Sequence, residues 1–232
     1  MAQLNGKTIL ITGATGGLGE AVVSVFLREA AFVAGAARRW SGDKQTAGLL
    51  KLRADLTTEE GAEAAVQATL AERGRLDAVV HLVGGFATDG PVAATKVETW
   101  DRMMAMNVRS AFLVFRAALA AQAKAPIGLN RLIAVGSRAG VQNSPGAAAY
   151  AVSKAALHAL VLNLAEELND QGITVNAVLP GVIDTKANRA AMPKADFSKW
   201  VQPDAIAETL AWLASDAAAN SSGALIPVYG RS

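Results

Sequence analysis

The sequence predicts a doubly wound α/β domain, with a parallel sheet of about seven strands and helices on both faces. Three observations carry that expectation. Short β-rich apolar runs alternate with longer helical stretches along the chain, a glycine cluster follows the first run at once, and no repeat, linker or low-complexity tract interrupts the pattern. Strands alternating with helices of this length specify parallel βαβ units, and right-handed crossovers then cover both faces of the sheet. A length of 232 residues suits one domain spanning residues 1–232.

Each element follows in order. Thr8, Ile9, Leu10 and Ile11 form the first strand. A helix over 19–30 comes next, with Val22, Val23, Phe26 and Leu27 on one face. Residues 32–34 read as the second strand, 49–54 as the third, 78–83 as the fourth, 132–135 as the fifth and 174–178 as the sixth. Residues 225–228 are the seventh, where Pro227 cannot donate to a ladder and so implies an edge. Helical patterns fill 58–72, 97–123, 147–169 and 204–215. The loops at 84–91, 136–146 and 181–203 all follow strands. Ligands of open α/β sheets sit beyond the carboxyl ends of the strands, so these loops are expected to rim the site.

Composition narrows the function. Hydrophobic residues make up 52% and charged residues 18%, which suits a packed core. Aromatics are only 5%, so Ala, Val, Leu and Ile must build that core. The net charge is +2, and no Lys/Arg run interleaved with aromatics suggests a nucleic-acid face. The absence of cysteine excludes disulfides, thiolate zinc sites and a cysteine nucleophile, and no metal centre is expected. The first residues lack a signal-peptide pattern, and Arg28 and Glu29 break the apolar stretch 21–37, so neither secretion nor a membrane span is expected. A cytoplasmic protein is the expectation.

The glycine cluster is the first functional signal. Thr12 to Gly19 carries Gly13, Thr15, Gly16, Gly17, Leu18 and Gly19 in the spacing Gly-x-x-x-Gly-x-Gly between strand and helix. Glycines permit a turn closed to other residues, let backbone approach a pyrophosphate, and aim helix N-terminal N–H groups at its charge. No Lys-Ser/Thr pair follows, so this is not a triphosphate loop. The alternative is a glycine-rich turn without a ligand. After the second strand stand Arg38 and Arg39 and no acid. An acid there would bind the ribose of NAD, whereas two cations suit a 2′-phosphate. NADP is therefore favoured, NAD remains possible, and the alternative is a pair of plain surface arginines.

Tyr150 and Lys154 are the second signal. At i and i+4 of a predicted helix they share a face. Tyrosine, with a reference pKa of about 10, needs about 4 kcal/mol of phenolate stabilisation to fall by three units. One cation at about 4 Å supplies that in an effective dielectric near 20. Alone the pair could be an exposed helix face. Ser137 upstream, after the fifth strand, adds a hydroxyl suited to a developing oxyanion. Asn107 sits inside a predicted helix without a propensity reason, as a functional or a satisfied structural amide.

Together these residues resemble the short-chain dehydrogenase/reductase family over essentially the whole chain. The resemblance implies a Rossmann-type fold, Tyr150 as proton donor or acceptor, and Lys154 lowering its pKa and binding the nicotinamide ribose. It further implies Ser137 orienting a substrate carbonyl and Asn107 holding a water in a proton relay. Asp55 would approach the adenine, Ile183 and Thr185 would contact the nicotinamide, and Leu56, Gly84, Pro180 and Gly181 would also bind the cofactor. The family usually has Asn-Asn-Ala-Gly after the fourth strand. Here His81, Leu82, Val83 and Gly84 stand there, so the wiring between strands must differ, and His81 reads as a core or rim residue. The 181–203 loop, with Asn188, Arg189, Met192, Pro193, Phe197 and Trp200, resembles that of the dihydropteridine reductases, as does Gly84-Gly85-Phe86. Ser137 and Arg38 disagree with that subgroup. Three functions follow: an NADPH-favouring carbonyl reductase, a quinonoid-pterin reductase using Phe86 or Trp200, and a non-catalytic dinucleotide-binding regulator. The helices over 97–123 and 147–169 are apolar beyond one core-facing stripe, which implies a homo-oligomer, dimer or tetramer.

Overall fold

The first apolar run becomes β1 (Thr8–Thr12), buried along its whole length because it is paired on both sides. In the computed structural model, which describes residues 2–40 and 45–231, β1 pairs with β2 (Phe32–Ala37) and, on its other edge, with β4 (Ala78–His81). β3 (Leu49–Arg53) extends the sheet beyond β2; β5 (Arg131–Val135), β6 (Thr174–Pro180) and β7 (Leu225–Val228) extend it beyond β4. The resulting seven-stranded parallel sheet has the order β3-β2-β1-β4-β5-β6-β7. Pro227 lies in the edge strand, where its missing N–H costs no ladder bond. The sense in which successive strands are added reverses between β1 and β4, which opens a crevice at their carboxyl ends.

Strand alternation divides the core in two. Leu10, Val79, Leu132 and Ala134 face α2 (Glu59–Arg73), α4 (Ser110–Lys124) and α5 (Ala148–Glu167). Ile9, Ile11, Val80 and Ile133 face α1 (Gly19–Arg28) and α7 (Pro203–Ala214). Val22, Val23 and Phe26 are buried on the predicted face of α1, with Leu27 partly buried beside them. Thr58 caps α2 by accepting from the Gly61 N–H, and Gly74, at φ +65°, ends it.

Three departures from the sequence reading have local causes. β4 ends at His81 because the N–H groups of Leu82 and Val83 turn to the Thr12 hydroxyl at 3.1 and 3.4 Å. The helix expected over 97–123 consists of α3 (Val97–Met104), a π-helical turn (Ala105–Arg109) and α4. The loop at 181–203 contains α6 (Lys186–Ala191), capped by Thr185, too short to leave a periodic signal. Val97–Lys124 and Ala148–Glu167 are each long and apolar enough to cross a membrane by composition. Both pack on the sheet instead, with half and about two-fifths of their apolar windows buried.

Candidate active site

The glycine turn is shaped by close approaches. Gly13 has φ +69°, and a Cβ there would come within 3.2 Å of the Val83 backbone. A Cβ on Gly19 would overlap the Gly13 carbonyl oxygen and sit 2.7 Å from the Ala14 carbonyl carbon, so α1 starts directly beneath the turn. Gly17 lies against Thr185, whose Cγ2 would be 3.0 Å from an added Cβ. Above the turn lies a cavity of about 510 Å³. Of the residues singled out for the cofactor, Gly13, Thr15, Arg38, Arg39, Asp55, Leu56 and Gly84 line it.

The other predicted residues lie outside the lining. Leu18 packs against the core, and Gly19 begins α1. Pro180 ends β6, and the Gly181 N–H donates to the Val228 carbonyl. Ile183 bridges to Val201, and Thr185 caps α6. Gly16 of the glycine turn also lines the cavity, and Ala36, Ala37, Ala54, Thr57, Leu82, Val83 and Met106, not singled out for it in the sequence, complete the wall. Small residues at the end of β2 were the available signal. Trp40 was also passed over; its Nε1–H donates to the Leu52 carbonyl at 3.0 Å and its ring lies against Gly35. Asp55 accepts from the Thr57 N–H and hydroxyl at 3.0 and 2.7 Å, which holds its carboxyl below the usual range, and Arg38 adds to the effect.

At the inner end of this cavity Gly84 meets the predicted catalytic residues. A Cβ there would be 2.8 Å from Asn107 Oδ1 and 3.3 Å from Lys154 Nζ. Lys154 is buried, and its ammonium donates to the Val135 carbonyl at 2.9 Å. Burial pulls its pKa down to about 8. Tyr150, one turn earlier on α5, is hydrogen-bonded to the Ser137 side chain. Burial raises its pKa above the ordinary value, and the Ser137 bond works against that rise. Ser137 Oγ also accepts from the Ala139 N–H at 3.2 Å, which directs the serine O–H elsewhere. The exposed Phe86 ring meets Tyr150 edge-on, with centroids 4.9 Å apart.

Asn107 lies in the π-turn and is fully buried. Its Oδ1 accepts from the Gly85 N–H at 2.9 Å, and its Nδ2 donates to the Gly85 carbonyl at 3.0 Å and to Ser153 Oγ at 2.9 Å. The amide thus ties the segment after β4 to α5. Such turns widen a helix locally and recur at functional sites.

His81 answers the question of strand wiring. Its ring bridges Thr12 Oγ1 at 3.0 Å and Ser110 Oγ at 3.1 Å. Ser110 donates to the Met106 carbonyl, so it accepts from His81 Nε2–H, and Nδ1 accepts from Thr12. The imidazole is therefore neutral, with burial and the nearby Lys154 charge taking its pKa down to about 3. The sign of the pH effect follows. Between about 6.5 and 3 the unfolded chain binds this proton and the folded one does not, so stability falls as pH falls. His81→Asn is expected to make the pH dependence of unfolding free energy shallower between pH 6 and 4, by up to about 1.4 kcal/mol per pH unit. Urea melts across that range check it, and an unchanged slope would refute a neutral His81.

The 181–203 segment is pinned at its base. Arg189 holds Asp184 through two bonds of 2.5 and 2.7 Å, and Gln202 donates to the same carboxylate at 3.0 Å, taking its pKa down to about 2. Trp200 is buried and packs on Phe197 at 4.7 Å, so it anchors this segment. Among the described residues no cluster of His, Asp and Glu could hold a metal ion.

Comparison with known proteins agrees with this geometry. A family model described as enoyl-(acyl carrier protein) reductase matches residues 13–230. The 3-oxoacyl-[acyl-carrier-protein] reductase FabG of Pseudomonas aeruginosa is 32% identical, with 98% of each chain covered. A cyclopentanol dehydrogenase of Comamonas sp. is 34% identical, with 99% of this chain and 98% of the relative covered. Among solved structures, a short-chain dehydrogenase/reductase of Serratia marcescens superposes with a TM-score of 0.86 at 30% identity over 98% of each chain. ElxO, solved with NADP bound, superposes with a TM-score of 0.88 at 23% identity over 97% of each chain, a likeness of fold. The non-catalytic reading falls with these matches: a sheet of this order, a glycine turn under a cleft and whole-chain likeness to reductases and dehydrogenases make the chain an oxidoreductase belonging to the short-chain dehydrogenase/reductase family.

Proposed function

We propose that this protein reduces a carbonyl compound to an alcohol, with NADPH as the favoured hydride donor. One observation carries the reading: Tyr150 and Ser137 share a hydrogen bond one helical turn from a buried Lys154, which lies beside Gly84 in the wall of the cavity above the glycine turn. A bound NADPH supplies the hydride to the carbonyl carbon. Tyr150 gives its proton to the carbonyl oxygen, and the Ser137 hydroxyl holds that oxygen as charge develops on it. Tyr150 is protonated at neutral pH, as a donor must be; its pKa stands above the ordinary value, not below it as expected from Lys154, because burial outweighs the Ser137 bond. Lys154, whose ammonium donates to the Val135 carbonyl at 2.9 Å, would bind the nicotinamide ribose. The Asn107 amide is committed to Gly85 and Ser153, so its side chain does not hold the relay water that the family resemblance implied.

The cavity fits the nucleotide. The turn at Gly13, Thr15, Gly17, Leu18 and Gly19 takes the pyrophosphate, Asp55 and Leu56 take the adenine, and Arg38 and Arg39 take the 2′-phosphate. Gly84, in the lining, would face the nicotinamide half together with Pro180, Gly181, Ile183 and Thr185 at the foot of the 181–203 segment, which would cover the substrate. The exposed Phe112, Val152 and Leu162 on α4 and α5 support a homo-oligomer, and the working compartment we infer is the cytoplasm. A quinonoid pterin is the second reading, favoured by the exposed Phe86 ring beside Tyr150.

The test is a screen of the purified protein, following NADPH and NADH absorbance with acetoacetyl thioesters, simple ketones, quinones and quinonoid dihydropterin. Turnover of a ketone or thioester with NADPH preferred is expected, and no turnover of any carbonyl would overturn the proposal. Arg38→Ala is expected to raise KM for NADPH about 10- to 100-fold, since hydrogen bonds to charged groups contribute about 1.5–3 kcal/mol. KM for NADH should move little. Equal effects on both nucleotides would remove Arg38 from the phosphate.

A further inference from the structure

Tyr150, Lys154 and His158 stand at i, i+4 and i+8 of α5, so one helix face carries all three. The sequence reading stopped at the first two. His158 is buried, and its ring fills a slot beneath the turn that carries Ser137. Two glycines make that slot. A Cβ on Gly136 would overlap His158 Nε2 and lie 2.8 Å from Cδ2; a Cβ on Gly140 would lie 2.5 Å from Cε1. The backbone N–H of Ser137 donates to Nε2 at 3.3 Å.

That bond fixes the ring's protonation. A backbone N–H can only donate, so Nε2 must be unprotonated and the proton of the neutral ring sits on Nδ1. Nδ1 faces the Gly140 backbone without closing to full hydrogen-bond geometry. Burial and the Lys154 charge take the pKa down to about 4, so the acceptor persists at neutral pH. A buried donor left without a full partner is unfavourable, a cost that an apolar side chain in the same slot would avoid. The imidazole is therefore poor as plain core filling.

We infer that His158 is a positioning residue for catalysis: by accepting from the Ser137 N–H inside the slot left by Gly136 and Gly140, it holds the serine hydroxyl on Tyr150. The chain of bonds is continuous. His158 fixes the Ser137 backbone, the Ala139 N–H orients Ser137 Oγ, and the serine O–H is left for Tyr150 and the substrate oxygen. This inference rests on the proposed role of Ser137.

The test is a double-mutant cycle between His158→Phe and Ser137→Ala, read in kcat and KM with NADPH and the best substrate of the screen. His158→Phe keeps a flat ring, somewhat larger than the imidazole, and removes the acceptor. It is expected to lower kcat at least tenfold with KM for NADPH unchanged, yet by less than threefold when Ser137 is already Ala. His158→Gln, whose Oε1 can accept near the Nε2 position, should recover kcat to within about threefold of the parent and also serves if the Phe variant fails to fold. Equal losses in both backgrounds, or no loss in either His158 variant, would overturn the inference. A parent in which Ser137→Ala leaves kcat unchanged would instead refute the role of Ser137, and the inference with it.

Discussion

Tyr150→Phe is expected to lower kcat by about 10²–10⁴-fold, the range for a positioned general acid, while nucleotide affinity stays within about twofold. The phenyl ring keeps its place against Phe86, and Tyr150 does not line the nucleotide cavity. Only the hydroxyl bonded to Ser137 is lost. Steady-state rates and NADPH titration by fluorescence separate the two quantities. Activity within tenfold of the parent would remove Tyr150 as proton donor. A matching loss of nucleotide binding would make its role structural.

Gly19→Ala is expected to have the largest effect on the scaffold. The new methyl meets the Gly13 carbonyl and the Ala14 backbone, neither of which can rotate aside. Overpacking of this kind costs typically 1–3 kcal/mol or more, so Tm should fall by about 5–10 °C if the helix shifts to relieve the overlap. Any such shift opens the pyrophosphate turn, and NADPH affinity should fall at least a hundredfold. Gly6→Ala is the control. Gly6 also has a left-handed backbone, at φ +76°, but nothing within 4 Å of an added Cβ. It should lose a little stability and keep its nucleotide affinity. Equal nucleotide affinities in the two variants would refute the steric account of Gly19.

What the sequence made legible follows from the range of each signal. Period-two runs and the glycine cluster act within a few residues, so Ile9, Leu10 and Ile11 announce a strand and Gly13 to Gly19 announce its turn. The residues Ser137, Tyr150 and Lys154 were singled out through spacing, and the fold bonds Tyr150 to Ser137 and puts Lys154 beside Gly84. His158 was within reach of the same spacing argument, but its role depends on empty space at Gly136 and Gly140, which no side-chain pattern records. The site of His81 is legible only as a departure. Its partners Thr12 and Ser110 lie in other elements, brought there by strand pairing and helix docking. The cavity walls at Ala36, Ala37 and Ala54 were missed because alanine carries no chemical signal; smallness itself is the property in use. The ends of β4 and the helix beyond Val97 moved because side-chain bonds from Thr12 and the turn around Asn107 override local propensity.

The π-turn at Ala105–Arg109 also sets a limit on how this protein can be stabilised. A helix advances about 100° per residue, so one residue packed into a wider turn changes the rotational phase of everything beyond it. α3 and α4 therefore belong to two helices out of phase, spliced at Asn107. Deleting one residue to regularise the splice would improve the backbone geometry of the turn. It would also swing one half by about 100°, carrying either Asn107 away from Gly85 or the buried face of α4 away from the sheet. The irregularity is the joint at which the demands of the core and those of the site meet, and neither can be idealised alone.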